Sequence, residues 1–237
     1  MIEEIVDALA KATPPKPLFN QYTKSCKLDL HPKEAAELRR ERLLQHLSCT
    51  PRIILLSGHA DISTELTGIA LTSEELVAQG RIPRVMEEQI TNGRASMTSW
   101  KASVLWGELE RAKLADKTIL WNVQPFFSGK PIIERNEELE LNFGLQFLQP
   151  LLKHFFGVPI IVRNGVARHA LELLEIRPAA TLPALTKEEE SGQAIRKALG
   201  FLIDQPKHGR TRNAGKPVRD FFASCRGNNT ESKKNDN

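Results

Sequence analysis

Four short apolar runs stand out along the chain: Arg52–Ser57, Lys117–Asn122, Val158–Arg163 and Gly200–Asp204. None alternates strictly between apolar and polar positions, so each reads as a strand covered on both faces. Between them the apolar positions recur at helical spacing. Pro32-Lys33-Glu34 opens a helix whose apolar side carries Ala35, Leu38, Leu43, Leu44 and Leu47. Val104, Leu105, Leu109 and Leu114 mark a second, and the run Leu141, Phe143, Leu145, Leu148, Leu151, Leu152 and Phe155 a third. Asn164-Gly165 starts a fourth, with Ala167, Leu171 and Leu174, and Lys187–Leu199 is a fifth with a charged face. A helix begun at Ile2 is stopped by Thr13-Pro14-Pro15-Lys16-Pro17, because proline lacks the amide hydrogen and clashes with the preceding turn. Strands alternating with helices predict an α/β fold, three-layer αβα, with a central, mainly parallel four-stranded sheet and right-handed crossovers.

Composition narrows this little. The chain has 237 residues, of which 41% are hydrophobic and 26% charged, as in a soluble globular protein. The length suits one domain at residues 19–225, an N-terminal extension at 1–18 and a polar, disordered tail at 226–237. No apolar run approaches the roughly 18 residues a membrane helix needs, and the acidic start Met1-Ile2-Glu3-Glu4 has no signal core. The three cysteines, Cys26, Cys49 and Cys225, are odd in number and widely spaced, which suits a reducing, cytoplasmic setting. They are too few for the four thiolates of an ordinary iron–sulfur cluster, and the six histidines form no zinc pattern, so no metal or cofactor is expected. There is no phosphate loop, dinucleotide fingerprint or nucleophile elbow. The net charge of +4 permits a nucleic-acid partner. Lys207, Arg210, Arg212, Lys216 and Arg219 follow one another without an acid, as a phosphate-contacting segment or a solvated loop would.

In a parallel α/β sheet, ligands sit beyond the carboxyl ends of the strands. That rule selects Gly58-His59-Ala60-Asp61, Asn122-Val123-Gln124-Pro125 and Gln205-Pro206-Lys207-His208-Gly209. A carboxylate (Asp61), an amide (Asn122) and two imidazoles (His59, His208) on one rim can orient water, read a base edge and stabilise an anion. Each alone also suits a turn, a cap or a satisfied strand end.

At these residues the chain resembles the uracil-DNA glycosylase superfamily, nearest its mismatch-specific and related bacterial branches. The strand, Gly58, the loop and Leu66-Thr67-Gly68-Ile69-Ala70-Leu71-Thr72-Ser73-Glu74 are similar to the family's strand, G-E-A-P-G-type loop and T-G-[IV]-P-F-T-S segment. Leu120-Trp121-Asn122-Val123-Gln124-Pro125-Phe126 is similar to its L-W-N-x-x-P-F. Ile160 to Ala167 is similar to its strand–G-x-x-A–helix unit, and Gln205–Gly209 echoes its H-P-S-x-G loop. Phe19-Asn20-Gln21-Tyr22 and the Arg-rich helix after it fit the usual start, so the resemblance covers residues 19–224.

The resemblance implies a monofunctional DNA glycosylase. Such an enzyme flips a nucleotide out of the stack and hydrolyses the N-glycosidic bond, leaving an abasic site. It implies that Asn122 reads the pyrimidine edge, that His59 or Asp61 positions water, and that His208 or Gln205 serves the departing base. Gly58, Thr67, Gly68 and Leu71 would line the pocket, and Lys207, Arg210, Arg212 and Lys216 would hold DNA. Ala70-Leu71 stands where the family has Pro-Phe, so the aromatic platform for uracil is missing and a larger base has room. The expected substrate is therefore DNA with a modified, deaminated or mismatched pyrimidine. A bulky hypermodified cytosine of viral DNA, with an antiviral role, is the reading favoured by these departures. The expected protein is a monomer with no membrane partner. A uracil or mismatch repair glycosylase, a catalytically degenerate DNA-binding relative and an unrelated α/β hydrolase are the competing readings.

Overall fold

A computed structural model describes residues 1–88, 90–91, 99–182 and 188–203, all within the compact unit Met1–Asp204. Four parallel strands form one sheet in the order β2-β1-β3-β4: β1 Ile53–Ala60, β2 Thr118–Phe127, β3 Ile160–Val162 and β4 Ala180–Thr181. The helices are α1 Ile2–Lys11, α2 Ala35–Leu47, α3 Ile62–Thr67, α4 Glu74–Ala78, α5 Trp100–Arg111, α6 Glu137–His154, α7 Gly165–Leu173 and α8 Glu188–Ile203. The expected α/β architecture is present.

Strand alternation divides the core in two. Ile54, Leu56, Ile119, Trp121, Val123 and Val162 face one way and pack with α1, α6 and α7 through Leu9, Leu148, Leu151 and Leu171. Ile53, Leu55, Leu120 and Ile161 face the other way and pack with α4, α5 and α8 through Leu76, Trp106, Leu109 and Ile195. Residues 1–18, expected as an extension, carry α1, whose Ile5, Val6 and Leu9 are buried in the first of these cores.

Helix α6 lies against β2 because it has Gly144 at the crossing. A Cβ there would stand 2.2 Å from the Val123 carbonyl oxygen. Edge strand β2 is not left bare. The buried His46 of α2 accepts the outward Leu120 amide hydrogen at 3.0 Å, and Phe19 pairs antiparallel with Phe127 at the far end. Helix α2 turns two arginines inward. Arg39 meets Asp29 and Arg42 meets Glu74, all four being buried. A buried charge persists only with such a partner.

One expected element is corrected. The run Gly200–Asp204 is not the fourth strand; residues up to Ile203 continue α8. A short apolar run has no periodicity of its own, so it reads alike as a buried strand or as the last turn of a helix. Here it follows Ile195 and Leu199 at helical spacing. The fourth strand is instead the two-residue β4 beside β3. The segment Gln205–Gly209 therefore follows a helix, and the strand-end rule no longer assigns it to the rim. Gln205, Lys207, His208, Arg210, Arg212 and Lys216 lie outside the described residues, as does the tail.

Candidate functional site

From β1 the chain moves outward to β2, then returns past β1 to β3 and on to β4. The connections leaving β1 and β3 therefore diverge, the point at which parallel sheets commonly bind ligands beyond the carboxyl ends of the strands. His59 stands near the end of β1 and Asp61 directly after it, and the segment after β3 begins with Arg163. Asn122, expected at the end of its strand, lies within β2, which runs on to Phe127 because the ladder with β1 continues through His59 and Gln124.

Asp61 is exposed and is the N-cap of α3. Its Oδ1 accepts from the Thr64 amide at 3.0 Å and from the Thr64 hydroxyl at 3.2 Å. The Thr64 oxygen in turn accepts from Asn122 Nδ2 at 3.0 Å. The polarity of this chain is fixed. A carboxylate only accepts, so the single Thr64 hydroxyl hydrogen goes to Asp61. Its oxygen then needs a donor, which must be the amide nitrogen of Asn122. The Oδ1 of Asn122 points away, buried and without a hydrogen-bond partner. Asp61 and Asn122, singled out in separate segments of the chain, are thus joined through one buried threonine that sequence reasoning did not select.

Two positions further along the same face of β2 is Gln124, in register with His59. It is fully buried, and neither its Oε1 nor its Nε2 has a partner. His59 sits between Arg135 and Glu137. Arg135 Nη2 lies 3.1 Å from Nδ1, and Glu137 Oε1 lies 3.3 Å from Nε2. A guanidinium only donates, so Nδ1 accepts and the ring hydrogen is on Nε2, directed at Glu137. Burial first, and the Arg135 charge second, lower the His59 pKa below its ordinary value, with Glu137 opposing. Arg135 is itself held by the buried Glu140, its Nε lying 3.0 and 2.9 Å from the two carboxylate oxygens. Arg163 is half-buried, donates to Ser57 Oγ at 3.3 Å and feels the charge of Asp61.

The other expected pocket residues have mainly local partners. Gly58 leaves room for the start of α7: a Cβ there would lie 2.8 Å from Val166 Cβ and 2.9 Å from Asn164 Nδ2. The fully buried Thr67 hydroxyl donates its one hydrogen within its own turn, the nearest acceptor being the Ser63 carbonyl at 2.8 Å, and accepts the Ile69 amide at 3.1 Å. Gly68 ends α3 in the left-handed region, where a Cβ would meet the Arg39 backbone at 2.8 Å. Leu71 is buried with Ile69 and Ala70 at a φ of 53°, a conformation a leucine seldom takes.

Sequence reasoning overlooked Thr64, Gln124, Arg135 and Arg163. The one signal for Gln124 and Arg163 was their place at or just past the end of an apolar run; Gln124 lies within β2 and Arg163 directly follows β3. Arg135 and Thr64 matter only through partners distant along the chain. A separate cavity of about 330 Å³ lies between α5 and α8, lined by Ser103, Glu108, Arg111, Gly192 and Arg196 among others. It shares no residue with the strand-end group. Among the described residues no three His, Cys, Asp or Glu converge as metal ligands, and no helix is long and apolar enough to cross a membrane. No protein-family model and no curated protein matches the chain.

Proposed function

We propose that the protein is a monofunctional DNA glycosylase acting on a flipped-out pyrimidine beside the end of β1 and the Asn122 face of β2. The observation that carries this reading is the buried, unpartnered Oδ1 of Asn122, tied by Thr64 to the exposed carboxylate of Asp61. An unmet buried acceptor costs about 1–3 kcal/mol. A base offering an N–H to that oxygen would relieve it. The resemblance to the uracil-DNA glycosylase superfamily supplies the substrate class.

Asp61 is the residue we assign to the water. Both its protein hydrogen bonds enter Oδ1, so Oδ2 can hold a water molecule. Both ring nitrogens of His59 already face Arg135 and Glu137. In the reaction, the bond from the sugar C1′ to the base nitrogen breaks and its electron pair leaves with the base. The water oxygen then bonds to C1′ and its proton passes to Asp61. Asn122 holds the base edge as the bond lengthens. By the resemblance, Leu71 stands where the family carries an aromatic, and that departure favours a modified pyrimidine, hypermodified cytosine included; such a substrate would fit an antiviral role. Lys130, just beyond β2, is paired with Glu134 at 3.3 Å, so we assign no amine nucleophile, and the product is an abasic site rather than a Schiff-base adduct.

The test is mass spectrometry of free bases released from duplexes carrying uracil, mispaired thymine or hypermodified cytosine. Release of one of these, with an abasic site left in the strand, is the expected result. DNA binding without release would favour the catalytically degenerate alternative.

A further inference from the structure

Gln124 departs from the way this protein treats its buried amides. Gln21, also fully buried, has both ends matched: Nε2 donates to the Pro125 carbonyl at 2.7 Å, and Oε1 accepts the Phe127 amide at 3.3 Å. Asn20 is matched as well, donating to the Leu9 and Ala12 carbonyls at 2.9 Å each and accepting the Tyr22 amide. Gln124 lies in the same strand that Gln21 braces, yet its donor and its acceptor both go unmet. An apolar side chain of similar volume would fill the space without that penalty. A fully unsatisfied buried amide calls for a partner that packing alone does not supply, and a bound ligand can supply it.

Its position says which ligand group it would read. Leu120, Asn122 and Gln124 share one face of β2, while Trp121 and Val123 face the opposite core. Asn122 and Gln124 are thus successive positions along one wall, with Cα atoms about 7 Å apart. Asn122 has its nitrogen committed to Thr64 and offers an acceptor. Gln124 is free to turn its amide either way, so it offers a donor, an acceptor or both. From the next position outward it meets a different part of the ligand from the part that Asn122 meets.

We infer that Gln124 is a specificity-determining residue that hydrogen-bonds a second polar group of the flipped base, distinct from the one read by Asn122. The inference rests on the glycosylase reading and adds the substrate class: a heterocyclic base with at least two separately placed hydrogen-bonding groups. The aliphatic analogue Gln124→Met removes both amide atoms and nearly keeps the volume.

The test compares wild type, Gln124→Met and, as a control, Gln21→Met. The duplex probes carry uracil, 5-hydroxymethyluracil, mispaired thymine or 5-hydroxymethylcytosine. Release of the base that wild type prefers should fall about 100-fold in Gln124→Met, the size of effect seen when one preorganised donor is removed. Poorly released bases should change little, so discrimination collapses. The melting temperature should hold or rise in Gln124→Met, because an unmet amide is removed, and fall in Gln21→Met, because met hydrogen bonds are lost. Unchanged discrimination in Gln124→Met overturns the inference and leaves the glycosylase reading standing. So does an equal loss on every base together with a lower melting temperature. A wild type that releases none of the four overturns both.

Discussion

The Asp61–Thr64–Asn122 chain makes a residue-scale prediction that a general loss of packing does not. Thr64→Val keeps the shape of a buried side chain but removes the hydroxyl that holds Asn122 Nδ2 and bonds Asp61. The amide of Asn122 is then free to turn, and base release should drop by about one to two orders of magnitude, or roughly 1.4–2.7 kcal/mol at the transition state. Thr64→Ser restores the hydroxyl and should recover most of the rate. Single-turnover base release by the two variants checks this, and equal rates would remove Thr64 from the site. Asp61 and Asn122 were legible because a polar residue that closes an apolar run or soon follows it is a local pattern, although β2 runs on past Asn122 to Phe127. Thr64 was not, since its role depends on a partner 58 positions away. Arg135 meets His59 across 76 positions for the same reason.

At the scale of elements, the buried arginines of α2 give the sharpest expectation. Arg42 pairs with Glu74 of α4, and both side chains are essentially inaccessible. Glu74→Ala leaves a guanidinium charge buried without its partner and should lower stability by about 3–5 kcal/mol. Denaturant unfolding measures it directly, and a change below about 1 kcal/mol would mean that the Glu88 carbonyl, the other acceptor of Arg42, suffices alone. The first three strands were readable as short apolar runs, because they are covered on both faces, and the principal helices from periodicity, because each buries a regular apolar face. Helix α2 was readable as a helix but not for what it buries: a pattern of leucines hides the inward turn of Arg39 and Arg42. The run at Gly200–Asp204 was misassigned as a strand because length and hydrophobicity alone do not separate a strand from the last turn of a helix. The two-residue β4 is too short to leave any period. Helices α3 and α4 span six and five residues and are set by the side-chain caps Asp61 and Ser73 rather than by an apolar stripe.

For the whole molecule, pH is a test of the neutral histidine that seals the sheet edge. Burial pushes the His46 pKa down to about 3 from its ordinary 6.5, and its Nε2 accepts the Leu120 amide. The folded pKa is the lower one, so between pH 6.5 and 3 the unfolded chain binds the extra proton. Stability from this group is complete above pH 6.5 and falls as the pH drops, by about 1.4 kcal/mol per unit at most. His59 shifts in the same direction. Melting curves from pH 7 to pH 5 should show the decline, and His46→Gln, which can still accept from Leu120, should flatten it. At the same scale, replacing Arg210, Arg212 and Lys216 with alanine should weaken DNA binding alike for every target base and reduce its salt slope by about one unit per lost phosphate contact. A fluorescence titration at several salt concentrations reads both. The central claim, that the Asn122 amide within β2 belongs to the centre where a base is excised, is tested most directly by single-turnover release from the substrate duplex with wild type and Asn122→Ala. The account predicts that the variant keeps its melting temperature to within a few degrees and loses about 2–4 kcal/mol of transition-state stabilisation, a rate loss of roughly 30-fold to 1,000-fold. A folded Asn122→Ala protein releasing the base at the wild-type rate would contradict it.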